Sequence, residues 1–143
     1  MNRRNLFVCL LATTLVTALP MASALAAVGT PYTEAAFAAA QKQNKRILID
    51  ISATWCPTCK AQHPIIRKLA AEAGNNNLVI FSVDFDKQKP VVRAFGATMQ
   101  STLIAFRGAK ETGRSVGDTD PASIAKLMTS NMKAPQPAAV QAK

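Results

Sequence analysis

Two cysteines separated by two residues, in Trp55-Cys56-Pro57-Thr58-Cys59, are the side chains of this sequence best suited to chemistry. They follow the apolar run Ile47-Leu48-Ile49-Asp50-Ile51 and stand at the start of a long helical pattern. Cysteines placed this way share one helix face, so their sulfurs can close a disulfide without moving the backbone. The amide groups and dipole of a helix N-terminus also stabilise a thiolate, which is the species that attacks disulfides. The pentapeptide therefore reads as a redox-active dithiol.

The elements that must hold this dithiol can be read from the apolar pattern. Thr33 is placed to cap a helix running to about Asn44, with Phe37 toward the core. Arg46 to Ser52 is rich enough in Ile and Leu to be a central strand covered on both faces. The helix from Cys56 is expected to reach about Ala73, with Ile65, Ile66 and Leu69 on its apolar stripe. A kink is expected at Pro64, and a stop at Gly74-Asn75-Asn76-Asn77. Leu78 to Asp84 is a second buried strand, and Pro90 to Phe95 is a short helix before Gly96. Thr102 to Arg107 and Thr112 to Val116 form a hairpin, and Asp118-Thr119-Asp120-Pro121 opens a last helix to about Met132. The order is βαβ, a helix, then ββα, an α/β arrangement in one domain over 27–133.

The ends are read differently. Met1-Asn2-Arg3-Arg4 is basic, Leu6 to Leu19 is apolar, and Ala22 to Ala27 is rich in small residues, the pattern of a secretory signal peptide over 1–26 with cleavage after Ala26. An uncleaved inner-membrane anchor is the alternative, because no charge interrupts Leu6 to Val28. Residues 134–143, with Pro135 and Pro137, are expected to be a disordered tail. Cys9 leaves with the signal, so the mature chain keeps only the two motif cysteines, and a zinc site of four cysteines is excluded by count. In an oxidising compartment a lone pair is a staple, a metal site or a working couple. A staple closing so short a loop is worth only about 2 kcal/mol, which favours working chemistry. The formal charge of +9 becomes +7 without Arg3 and Arg4, but the basic residues are scattered, which argues against nucleic acid as a partner.

Beyond the two cysteines, Ile-Leu-Ile-Asp50, Ala53, Trp55-Cys56-x-x-Cys59-Lys60, Pro64, Val83-Asp84-x-Asp86, Phe95-Gly96 and Leu103-Ile104-x-Phe106-x-Gly108 occur in the order and spacing of the thioredoxin family, which the chain resembles from about Tyr32 to Met132. The resemblance implies a thioredoxin-like fold, a central mixed sheet flanked by helices on both faces. It implies a protein thiol-disulfide oxidoreductase with a redox-active disulfide Cys56–Cys59 and no other cofactor. Cys56, at the more exposed end, would be the nucleophile, Cys59 would resolve the mixed disulfide, and a buried Asp50 would assist Cys59. Trp55, Pro57, Thr58, Ser101 and Thr102 would bind substrate, with Trp55 as an apolar platform or else as core packing. Partners would be proteins with cysteines or disulfides, and a membrane thiol electron donor, and the protein would be a monomer. The motif is also similar to exported bacterial thioredoxin-like proteins, which points to the periplasm and to a reductase.

Two departures stand out. Ser101, in Gln100-Ser101-Thr102-Leu103, occupies the slot where thioredoxins carry a cis-proline, and a cis bond before serine costs about 3 to 4 kcal/mol, so a trans peptide or a rearranged loop is expected. That loop can still bind substrate backbone by strand addition, and the Ser101 hydroxyl is a candidate partner for a cysteine sulfur, or else a plain surface serine. Ser82 stands where many thioredoxins place a lysine near the buried acid, which removes a positive charge that would favour the carboxylate. His63 opens a rival reading: four residues after Cys59, it could join Cys56 and Cys59 in a copper(I) or zinc site and make the protein a metal-handling one.

Overall fold

A computed structural model describes residues 28–132. The expected signal peptide (1–26) and tail (134–143), and the outermost residues of the expected domain, lie outside them. The elements are β1 (Thr30–Pro31), α1 (Glu34–Lys42), β2 (Arg46–Ser52), α2 (Pro57–Ala70), β3 (Leu78–Asp84), α3 (Lys89–Ala94), β4 (Thr102–Arg107), β5 (Lys110–Val116) and α4 (Pro121–Thr129), with a 3-10 turn at Ala73–Asn75.

One five-stranded sheet carries the order β1-β3-β2-β4-β5, with β1 and β2 parallel to β3 and β4 antiparallel to β2 and β5. The centre falls to β2 because its residues are apolar on both faces. Ile47, Ile49 and Ile51 enter one core with Phe81, Val83 and residues of α1 and α3. Leu48 enters the other, with Ile66 and Leu69 of α2 and Ile124 and Met128 of α4. Helices therefore cover both faces, as expected. Alternation along the strand then directs Asp50, two residues beyond Leu48, to the α2 side.

The caps are those the sequence announces. Thr33 accepts from the Ala36 N–H and Asp120 from the Ser123 N–H, each closing a first turn. Some boundaries move by a few residues: α1 ends at Lys42, α2 at Ala70, before the 3-10 turn, and α4 at Thr129, while β5 begins at Lys110, so the hairpin turn is only Gly108-Ala109. Gly108 has φ +54, and a Cβ there would approach Asn44 Oδ1 to 2.7 Å. Strand β1 went unread because it has only two residues, one a proline.

Between the two halves of the chain lies a buried cation. Arg46 is 3% exposed, and its guanidinium donates to Asn131 Oδ1, Asn75 Oδ1, Asn77 Oδ1 and the carbonyls of Gly74 and Met128. All five acceptors are neutral. Burial, with a smaller contribution from Arg107, lowers the Arg46 pKa from its ordinary value.

Candidate active site

The end of β2 delivers the chain directly into the dithiol. Cys56 is the N-cap of α2 with extended backbone (φ −78, ψ 114), and Pro57 takes the first helical position, where its missing N–H costs nothing. Cys56 and Cys59 are joined by a disulfide, with Cα atoms 5.3 Å apart. The Cys59 amide donates to Cys56 Sγ at 3.0 Å. This is the interaction that would hold a thiolate at Cys56 after reduction. In the oxidised form Cys56 is 1% and Cys59 0% exposed, so the expected difference in access is slight, and Ala53 and Phe85 pack against both.

Trp55 lies on the surface, 55% exposed, which rules out core packing. Its indole N–H donates to Asp86 Oδ2 at 2.7 Å, and Asp86 in turn meets Lys89. Pro57 is exposed and Thr58 half-buried beside it. Met99, also largely exposed, opens the loop that leads into β4.

The peptide bond before Ser101 is trans, as expected, since no described peptide bond is cis, and Ser101 takes a left-handed backbone, φ +55. It is buried rather than superficial, and its hydroxyl donates to the Gln100 carbonyl at 2.6 Å, not to a cysteine sulfur. The Ser101 carbonyl accepts from the Gly117 amide and from Gln62 Nε2, which also donates to the Asp118 carbonyl. Gln62, wholly buried on α2, thus ties the dithiol helix to the loop. Thr102 is 1% exposed, gives its hydroxyl to the Met99 carbonyl, and is paired with Ile51 on one side and Val116 on the other. Its backbone therefore cannot take an added strand.

Asp50 is wholly buried, as its apolar neighbours imply, and the solvated strand-end acid is ruled out. Ser82 lies opposite in the β2–β3 register, but its hydroxyl accepts from the Gly29 amide. The neighbour of the Asp50 carboxyl comes from α2: His63 Nε2 is 3.2 Å from Asp50 Oδ2. The angles are not those of a hydrogen bond, and both carboxylate oxygens and Nε2 are buried without one. This corrects the metal reading. His63 faces the strand acid, not the sulfurs, and among the described residues no three His, Cys, Asp or Glu side chains gather where they could hold a metal ion.

Residues missed in the sequence as parts of the site are Gln62, Phe85, Asp86 and Met99. Only the apolar neighbours of Gln62 on the helical stripe gave any hint of it.

The thioredoxin family model matches residues 29–130. The chain belongs to the thioredoxin family. It is 37% identical over 83 residues to the thioredoxin of Chlamydia muridarum, covering 58% of this chain and 79% of that one. To the thioredoxin of Echinococcus granulosus it is 38% identical over 97 residues, 67% and 87% of the two chains. Among solved structures it is similar to Trxlp from Edwardsiella tarda, with a TM-score of 0.68 and 38% identity over 69% of this chain and 96% of that one. Thioredoxins are thiol-disulfide oxidoreductases that act on protein disulfides without a separate cofactor, and with the Cys56–Cys59 disulfide in place this chain is such an enzyme.

Proposed function

We propose that this thioredoxin-family protein works in the periplasm as a monomeric protein disulfide reductase, re-reduced by a membrane thiol donor. The Cys56 thiolate attacks a substrate disulfide, forming a Cys56–substrate bond while the other substrate sulfur leaves as a thiolate and takes up a proton. Cys59 then loses its proton to Asp50 and attacks Cys56 Sγ, which closes the Cys56–Cys59 disulfide and releases the second substrate thiol. Trp55 and Met99 give the substrate an apolar seat, Pro57 and Thr58 sit beside the attacking sulfur, and the segment before Ser101 offers backbone for pairing.

The observation that carries the direction is Asp50, wholly buried on the face covered by α2. A strong oxidant stabilises its reduced, thiolate form, whereas a buried carboxylate beside the helix that holds the thiols disfavours a thiolate. The reduction potential tests this. A value near about −270 mV supports a reductase, and one near about −120 mV overturns it. The address rests on the basic, apolar and small-residue succession at the N-terminus. Residues 1–32 fused to a reporter active only outside the cytoplasm should make it active, and a silent fusion would refute the periplasmic assignment.

A further inference from the structure

A buried acid that accepts a proton from Cys59 has to pass it on before the next cycle, and Asp50 has no exposed surface through which to do so. Against it stands one ring with two environments. Nε2 of His63 is buried and 3.2 Å from Asp50 Oδ2, yet the side chain as a whole is 21% exposed, so another part of the imidazole reaches outward. It opens on a cavity of about 310 Å³ that His63 lines together with Ser52 and Ser82, room enough for several water molecules. His63 lies one turn past Cys59 on α2. The ring thus spans the gap between the carboxylate and water.

We propose that His63 carries protons between Asp50 and the solvent of this cavity during dithiol exchange. It acts through Asp50 and does not touch the sulfurs. The inference rests on the role given to Asp50 above. In the resolving step the Cys59 S–H bond breaks and its proton goes to an Asp50 oxygen. The Cys59 electron pair forms the bond to Cys56 Sγ, and the Cys56–substrate bond breaks with its pair on the departing sulfur. Within the same step Asp50 passes the proton on to His63 Nε2 and the ring returns a proton to water from its outer side, so loss of the ring slows resolution itself. No oxidant or reductant beyond the two disulfide couples is required.

The other charges around the ring are known. Lys60 and Arg67 of α2 and Asp84 of β3 line the same cavity, Asp50 is the acid on β2, and β1 contributes only Pro31.

The test uses the reduced protein and dithiobis(nitrobenzoate). Attack by Cys56 releases one coloured thionitrobenzoate, and resolution by Cys59 releases the second, so the two steps are timed separately. His63→Gln should slow the second release about tenfold, leave the first nearly unchanged, and remove a titration step from the pH profile of the second. In His63→Ala, added imidazole should enter the cavity and restore the second release. An unchanged second release overturns the proposal. So does a slowed release that keeps the wild-type pH profile and ignores imidazole, the behaviour of a merely structural residue, including a variant that melts early. Asp50→Asn separates the two levels. If it leaves the second release untouched, the role of Asp50 itself fails. If it slows that release while the His63 variants do not, only the relay fails.

Discussion

Replacing Arg46 by alanine should cost the domain about 3 to 4.5 kcal/mol while leaving the chemistry of each folded molecule intact. The magnitude follows from its partners. Of the five acceptors on the guanidinium, Asn131 Oδ1, Asn75 Oδ1 and the Met128 carbonyl are reached by buried hydrogen bonds, whereas Gly74 and Asn77 lie where water can replace the arginine. Each buried acceptor left without a donor costs about 1 to 1.5 kcal/mol, and there are three. At about 4 to 8 °C per kcal/mol for a domain of this size, Tm should fall by roughly 12 to 36 °C. Arg46→Lys should recover part of the loss, since an ammonium keeps the charge but cannot span five acceptors from one planar fork. Arg46 lies four residues along β2 from Asp50, about 13 Å away, so disulfide reduction per folded molecule should match wild type. Chemical denaturation followed by circular dichroism gives the stability, and a turbidity assay gives the activity. A loss under about 1 kcal/mol for Arg46→Ala would show that the neutral cradle contributes nothing net, and the reasoning would be wrong.

Cys59→Ser should accumulate a Cys56–substrate mixed disulfide visible by mass spectrometry, and Cys56→Ser should abolish turnover; a Cys59→Ser protein that turns over normally would refute the assignment of the two sulfurs. Restoring the family's proline as Ser101→Pro should destabilise the domain by about 3 kcal/mol or more, because a pyrrolidine ring holds φ near −65° and this position stands at +55°; an unchanged melting curve would mean the loop rearranges freely. Asp84 is held below the usual carboxylate range chiefly by the Lys87 amide, and Glu111 chiefly by the Arg114 guanidinium. Their contributions are therefore complete at neutral pH and are lost as pH falls below about 4, so the Tm advantage of wild type over Asp84→Asn should shrink between neutral pH and about pH 3. Parallel curves for the two proteins would count against it.

What the sequence disclosed, and what it withheld, divides along one physical line. Strand β2, the α2 dithiol and the caps at Thr33 and Asp120 are local patterns of side-chain type and spacing, and they appear where expected. Asp50 was legible as buried because its neighbours are apolar. His63 was equally visible, but helical spacing relates it only to Cys59 and says nothing of the strand beneath, so its partner was misjudged. Gln62 and Arg46 find partners 56 and 85 residues away, distances over which no periodicity speaks. The trans bond before Ser101 follows from the energetics of serine. Its left-handed backbone is held by tertiary hydrogen bonds that only the folded chain contains.

The cradle of Arg46 also sets a clock. Its buried acceptors include Asn131, one of the last described residues, whose amide group in turn donates to the Ile47 carbonyl of the central strand. A chain emerging from the ribosome has made β2 long before that asparagine exists, and until then the strand's first residue is a cation with nowhere dry to go. Native burial of that arginine therefore waits for nearly the whole domain to be synthesised.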